Sequence, residues 1–324
     1  MSWPSDKKVL ALCGGVGGAK LALGLTRVLS PDQLTIVVNT GDDFEHFGFL
    51  ICPDLDTVTY TLSGLSNPES GWGRRDESWN CLETLEALGA ETWFRLGDRD
   101  LAIHLTRRAL LDQGRSLSEA TATICGRVGI SHRIVPMSDN AIRTIVETKE
   151  GELSFQHYFV REQCRPVVQG FRFEGTSAAG PSAGFNAALE DPELAAILIC
   201  PSNPFVSIDP ILALPGIKDR LSRSRAPVIV VSPIVASQAI KGPTAKMMDE
   251  LGLDLSAMGV FHHYGELLDG FVIDEQDREL ISEFPDPEQL HCCNTVMESL
   301  QDRIELAKQC LNFGRQIGQP HIEE

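Results

Sequence analysis

Five runs of apolar residues constrain this chain more than anything else in it: KVLALC (8–13), LTIVVN (34–39), AAILIC (195–200), APVIVVS (226–232) and GFVID (270–274). Each has the length of a strand and none alternates apolar with polar residues, the pattern of strands covered on both faces by helices. Helix-like segments such as KLALGLTRVL and TAKMMDELG lie between them, so the expected fold is α/β, a doubly wound and mostly parallel sheet. Residues 57–130 differ. They carry the helical patterns SWNCLETLEALGA and DLAIHLTRRALLDQG with few strand runs, and predict a helical subdomain beside the sheet. Later, ELSFQHYFV reads as extended, and GTSAAGPSAGFNAALED as a loop followed by a short helix. A chain of 324 residues with 43% apolar content has enough material for an enzyme-sized core.

Charge narrows the partners. A net charge of -17 and a pI near 4.9 repel a polyphosphate backbone, so no nucleic acid is expected. Nine cysteines without a C-x-x-C pattern suggest neither a disulfide framework nor a structural zinc site, and read as reduced thiols. The apolar stretch in MSWPSDKKVLALCGG is too short for a signal sequence and no 18 apolar residues run together, so a soluble, cytoplasmic protein with no membrane partner is expected.

The chemistry begins where the first run ends, in CGGVGGAK. Ligands of parallel sheets sit beyond the carboxyl ends of the strands, and glycines there let backbone N–H groups approach an anion while a helix N-terminus adds partial positive charge. A phosphate is the natural guest. The dinucleotide fingerprint G-x-G-x-x-G would need glycine where Lys20 stands, and GGAKL does not supply the G-K-[ST] of a P-loop. A tight turn that merely needs glycine is the plain alternative. The second run ends in NTGDDFEHFG, followed by ICPDLDTVTYTLSG, so Asp42, Asp43, Asp54 and Asp56 reach the same rim. Four carboxylates near an anion call for a cation, and hard oxygen ligands suit Mg²⁺; taken singly, each is also an ordinary cap or turn residue.

Other loops fall near this rim. LGDRDLAIHL puts Asp98 and Asp100 at a helix start, as caps or as ligand contacts; VPMSDNA follows another extended run and offers Ser138 and Asp139; CPSNPFVSIDPILALPG sets Ser202 and Asn203 between prolines, a turn suited to a ribose, base or phosphate. Lys241 and Lys246 are available to neutralise phosphate, though solitary lysines more often face solvent. His104 reads as a packed histidine. His262 and His263 are adjacent, so in a strand they would point to opposite faces. Trp72, Trp79, Arg74 and Arg75 lie in GWGRRDESWN, as ring or charge contacts or as simple packing.

GGVGGAK, NTGDD, ICPDLDTV, GWGRRDESWN, LGDRDLAIHL, PMSD, PSNPFVSIDPILALPG and SPI, in that order, closely resemble the CofD/FbiA family of phospholactate or phosphoenolpyruvate transferases of coenzyme F420 biosynthesis, from residue 8 to about 300. The wording GGVGGA, GDD and GWG resembles the bacterial branch. The resemblance implies a single domain over residues 1–324 with a Rossmann-like core and the helical subdomain at about 57–130 beside the active site. It implies a GDP-linked three-carbon acid as donor, the ribityl hydroxyl of the deazaflavin Fo as acceptor, GMP as leaving group, and F420-0 or its dehydro form as product. Asp42 and Asp54 become the leading Mg²⁺ ligands, with Asp43 and Asp56 close behind and one carboxylate available to orient or deprotonate the hydroxyl. Gly14, Gly15, Gly17 and Gly18 fall to the diphosphate or ribityl region, Ser202, Asn203 and Pro204 to guanosine, and Gly97, Asp98, Met137 and Ser138 to the deazaflavin, with Lys20 and Asp139 as further substrate-binding residues. An upstream guanylyltransferase, a downstream glutamate ligase and a homodimer are implied partners. The acid is phosphoenolpyruvate, 2-phospholactate or 3-phosphoglycerate, with the bacterial wording favouring the first. Two other classes stay open: a nucleotide-sugar-binding regulator sharing the glycine-rich start, which PDLDT, GWGRRDESWN and LGDRD disfavour, and a nicotinamide oxidoreductase, which Lys20 disfavours.

Overall fold

A computed structural model describes residues 3–239 and 242–318. Strand β1 (Lys8–Cys13) leads directly into α1 (Gly15–Leu25), and β2 (Leu34–Val38) follows. The connection that leaves β2 holds a hairpin of β3 (Phe44–His46) and β4 (Phe49–Ile51). It continues through four helices, α2 (Pro53–Leu62), α3 (Asn80–Ala87), α4 (Asp98–Asp112) and α5 (Leu117–Arg127), before β5 (Arg133–Pro136). An antiparallel trio comes next, β6 (Arg143–Thr148), β7 (Gly151–Ser154) and β8 (Val168–Glu174), then α6 (Ala183–Leu189) and β9 (Leu194–Ile199). Helices α7 (Asp209–Leu212) and α8 (Ile217–Ser222) lead to β10 (Val228–Val231). The two-residue pair β11 (Ile234–Val235) and β12 (Gln238–Ala239) precedes α9 (Thr244–Glu250) and α10 (Ala257–Tyr264), and the chain closes with β13 (Gly270–Asp274), β14 (Leu290–Cys293) and α11 (Leu300–Ile317).

Seven strands form one parallel sheet in the order β14-β13-β10-β9-β1-β2-β5. The continuous apolar runs are explained by two cores. Leu10 and Leu12 of β1 point into one, with Phe185 of α6, Ile211 of α7 and Met247 of α9; Val9 and Ala11 point into the other, with Leu21 of α1, Leu55 of α2 and Leu306 of α11. The α/β expectation is therefore met. The 57–130 stretch is helical as expected and adds a small apolar cluster of its own, Tyr60, Ile103, Leu110, Ala120 and Ile124. Among the described residues no helix is long and apolar enough to cross a membrane.

Three local expectations change. ELSFQHYFV is strand only as far as Ser154, and His157–Arg161 closes into a π-helical turn. His262 and His263 sit on α10 rather than on a strand. The sheet's two edges, β5 and β14, are absent from the five apolar runs because each is only four residues long and carries polar residues, Arg133 and His291.

Candidate active site

Strand order reverses between β1 and β9, and the loops that leave those two strands meet there. Ser202 Oγ accepts from Gly14 N at 3.2 Å and donates to Gly14 O at 2.9 Å. Asn203 Oδ1 accepts from Phe205 N and Val206 N and so starts the π-helical turn Pro204–Ile208; its Nδ2 reaches Met247 Sδ at 3.4 Å. Ser202 and Asn203 thus shape the rim with their side chains. This crevice at a topological switch point is where open parallel sheets bind ligands.

The glycines divide. A Cβ on Gly17 would run into the Pro201 carbonyl oxygen, one on Gly18 would lie 2.7 Å from Cys13 Cβ, and one on Gly14 would strike the Asp54 carboxylate. These three let α1 begin hard against its own neighbours. Gly15 is different: at φ 63° it has nothing within 4 Å of the Cβ position, and its N–H donates to Asp54 Oδ1 at 2.8 Å. The start of α1 carries no acidic residue in its first turn, so its partial positive charge faces the crevice with Asp54 as the nearest anion.

All four aspartates are buried, and they form two pairs. Asp54 and Asp56 are two residues apart on α2, hence on opposite sides of that helix; Asp42 lies near Asp54, and Asp43 near Arg107 and Asp56. Asp54 Oδ2 accepts from Asn39 Nδ2 at 2.9 Å. Burial pushes Asp54 up to about 6 against the hydrogen bonds from Asn39 and Gly15. Burial and then the Asp54 charge push Asp42 well above the usual carboxylate range, and Asp42 Oδ1 has no hydrogen-bond partner. On the other side, Asp56 is ion-paired with Arg107 Nη2. Burial pushes Asp43 up to about 8, moderated by Cys52, Arg143 and Arg107.

Arg107 of α4 is 3% exposed. Its Nη1 donates to Leu50 O and meets His104 Nδ1, each at 3.2 Å. Burial alone would lower the guanidinium's affinity for its proton, but Asp56 outweighs it and the net shift is upward. His104 Nε2 lies 3.4 Å from Asp100 Oδ1, which in turn accepts from the Tyr60 hydroxyl. His104 is packed, as expected, but within a charged network. Asn39 and Arg107 were not among the candidates; Asn39 opens the NTGDD motif whose carboxylates drew attention, and nothing in the spacing of Arg107 pairs it with Asp56, 51 residues away.

Several expected site residues carry structural duties. Lys20 Nζ donates to Met297 O at 2.7 Å. Asp98 accepts from Ser78 Oγ, Asn80 N and Cys81 N, capping α3, and the Ser78 hydroxyl leads the set of hydrogen bonds that bring its carboxyl down to about 2. Gly97 leaves room for Glu77, whose carboxylate accepts from Arg99 N and Asp100 N at the start of α4. Met137 is wholly buried in the core, Ser138 Oγ donates to Gly180 O at 2.6 Å, and Asp139 accepts from Ser118 N at 2.7 Å. Lys246 pairs with Glu250, and Lys241 lies outside the described residues. Trp72 is 58% exposed and Trp79 carries Arg95 over its ring at 4.2 Å. The aromatic wall beside the aspartates is made elsewhere, by Phe44 and Phe94 (centroids 4.8 Å) and by Trp93 and His157 (4.6 Å).

Known proteins agree with this architecture. A family model described as 2-phospho-L-lactate transferase CofD matches residues 9–300. A 2-phospho-L-lactate transferase of Methanosarcina acetivorans is 40% identical over 93% of this chain and 97% of that protein. A phosphoenolpyruvate transferase of Streptomyces coelicolor is 36% identical over 96% and 99% respectively. The solved structure of a UPF0052 family member from Bacillus halodurans superposes with a TM-score of 0.61 at 15% identity, covering 95% of this chain and 100% of that one, and so shares the fold.

Proposed function

The chain belongs to the family of the 2-phospho-L-lactate transferase CofD, and from that premise we propose that it moves a phospho-three-carbon-acid group from an enolpyruvyl- or lactyl-diphosphoguanosine to the ribityl hydroxyl of Fo. The hydroxyl oxygen bonds to the β-phosphorus, the bond from that phosphorus to the bridging oxygen breaks, and GMP leaves with the electron pair. The product is F420-0 or its dehydro form.

The observation that carries this reading is the Asp42–Asp54 pair at the switch point. Two buried carboxylates, each pushed toward its protonated form and one with a bare oxygen, fit a small hard cation. Mg²⁺ takes one or two carboxylates and completes its shell with substrate phosphate oxygens and water. Among the described residues no set of three or more His, Cys, Asp or Glu is placed to hold a metal, so the protein's share is this pair. Bound there, Mg²⁺ would neutralise charge on the transferring phosphoryl group. The chain's own part is positioning, as phosphoryl transfer chiefly requires. In this reading the start of α1 receives the diphosphate, the 201–204 loop borders the guanosine side, and one of the four aspartates orients the hydroxyl and takes its proton. The rings of Phe44, Trp93 and Phe94, tilted or edge-to-face to one another, offer apolar edges and a single ring face to a tricyclic acceptor.

The test is the mass spectrum of the product from Fo, Mg²⁺, GTP and a guanylyltransferase, with phosphoenolpyruvate, 2-phospholactate and 3-phosphoglycerate supplied separately. A product bearing one acid is expected, phosphoenolpyruvate first. Asp42→Asn and Asp54→Asn are expected to stay folded and lose at least about a hundredfold in Mg²⁺-dependent turnover. No product with any acid, from folded protein and an active partner enzyme, would return the chain to a nucleotide-binding regulator.

A further inference from the structure

The rim that would receive this donor holds Asp42 and Asp54, with Asp43 adjacent to Asp42 in the chain, and neither Asp42 nor Asp54 is ion-paired with a cationic side chain. A diphosphate that also carries a carboxylate needs a cationic side chain at the acid end. Arg107 cannot serve, because Asp56, His104 and the Leu50 carbonyl occupy its terminal nitrogens. Arg143, the first residue of β6, is a guanidinium close to the turn that presents the aspartates. It is half-buried and close enough to Asp43 to favour that carboxyl's charged form, and Nη1 donates to Ile142 O at 2.7 Å. No described carboxylate lies within ion-pair distance of it. Glu174, which strand pairing sets opposite Arg143, bonds Arg172 at 2.7 Å instead.

The next residue carries an independent sign. Thr144 is 1% exposed, and its hydroxyl lies beside the Asp42 carboxyl and favours that carboxyl's charged form, so it stands within the aspartate site. That hydroxyl lies 2.7 Å from where a Cβ on Gly41 would stand, so it overhangs the turn that presents Asp42 and Asp43. Thr144 N donates to Gly41 O at 2.7 Å, which locks the start of β6 to that turn. Thr40 Oγ1, Asp42 Oδ1 and Asp43 Oδ1 of the same turn are buried without partners.

Resting on the transferase reading above, we propose that Arg143 and Thr144 form the subsite for the carboxylate of the three-carbon acid, and so set which acid the enzyme accepts. Contacts link these parts in turn: Ser202 to Gly14, Gly15 to Asp54, Asp54 to Asp42, and Thr144 to the turn at Gly41. A planar guanidinium matches a carboxylate in two parallel bonds, which a lysine does not, and the threonine hydroxyl adds a donor to the same group.

Turnover and calorimetric binding are compared for lactyl-diphosphoguanosine and for the same donor with its carboxylate converted to a carboxamide. The wild type is expected to prefer the acid by about tenfold to a hundredfold, the value of a charged hydrogen-bond pair. Arg143→Gln is expected to remove that preference by weakening the acid donor alone, chiefly in KM, with GMP binding unchanged. Arg143→Lys should recover part of the preference, and Thr144→Val should reduce it less than Arg143→Gln. Equal losses for both donors in Arg143→Gln, or a preference that survives it, would overturn the subsite. Absent turnover of either donor by the wild type would instead overturn the reaction, and the acid-to-amide binding ratio would still decide the role of Arg143. A wild type without that ratio would sink the subsite whether or not it turned over.

Discussion

The two aspartate pairs have nearly the same burial and opposite electrostatics. Asp56 has Arg107 against it, with His104 and Asp100 behind, so its charge is balanced inside the protein. Asp42 and Asp54 have amide donors, the Thr144 hydroxyl and each other, with no cation against either. Asp56 joins α4 to α2 and belongs to the architecture; the Asp42–Asp54 pair is left with a charge that only something from outside can balance. Four carboxylates in fifteen residues thus divide into a brace and a site, and the dividing agent is one arginine.

Removing that arginine is the strongest way to break the contrast. Arg107→Met leaves Asp56 buried and unpaired, and an ion pair broken from one side costs about 3–5 kcal/mol. Urea unfolding should show that loss as a lower midpoint with an unchanged slope. Arg107→Met combined with Asp56→Leu removes both charges and should recover most of the stability. A single variant within about 1 kcal/mol of wild type would mean that the pair is not a brace.

The aspartates without an ion-pair partner, Asp54 and Asp43 among them, predict a pH dependence of the opposite kind. The folded-state pKa values of Asp54, about 6, and Asp43, about 8, lie above the usual carboxylate value, so the folded protein binds more protons than the unfolded chain between pH 4 and 8. These groups therefore favour the fold at low pH and lose that contribution as pH rises through their folded values. Without Mg²⁺ the protein should be less stable at pH 8 than at pH 5.5, on the order of 2 kcal/mol from these groups. Because a metal needs the carboxylates ionised, added Mg²⁺ should raise Tm clearly at pH 8 and little at pH 5.5. Asp42→Asn should abolish the Mg²⁺ response while raising Tm in its absence. A Tm response to Mg²⁺ that is the same at both pH values would remove the metal from the Asp42–Asp54 pair.

Much of this contrast was open to sequence reading, and the part that was not has a physical reason. Runs covered on both faces announce a parallel sheet, because burial on both sides leaves no polar alternation; of the edge strands, β5 is legible only as one more extended run, and β14, half-buried over three of its four residues, is not. The rim motifs are legible because strand ends and glycines mark where a crevice forms. The split of the aspartates is not, since it depends on Arg107 meeting Asp56 across a long connection. Likewise Asp98, Ser138 and Lys20 have the residue types of ligand contacts, but their partners, Cys81 N, Gly180 O and Met297 O, are fixed only when the chain folds. Helix caps and binding residues draw on the same side chains, and sequence pattern alone does not separate them.

The same division runs through the glycines at smaller amplitude. Gly17→Ala drives a Cβ into the Pro201 carbonyl, a rigid neighbour, and should cost about 1–3 kcal/mol as the loop or α1 moves. Gly15→Ala meets open space, so its cost is the left-handed backbone alone, about 1 kcal/mol. Function should rank them the other way. Relaxing φ at residue 15 shifts the N–H that holds Asp54, so turnover should fall more than stability does, with a weaker Mg²⁺ response. Gly17→Ala, assayed below its unfolding temperature, should keep that response if Asp54 stays in place. If both variants lost turnover only in proportion to stability, the loop would be a packing turn throughout, and the open face at Gly15 would have no part in holding the donor.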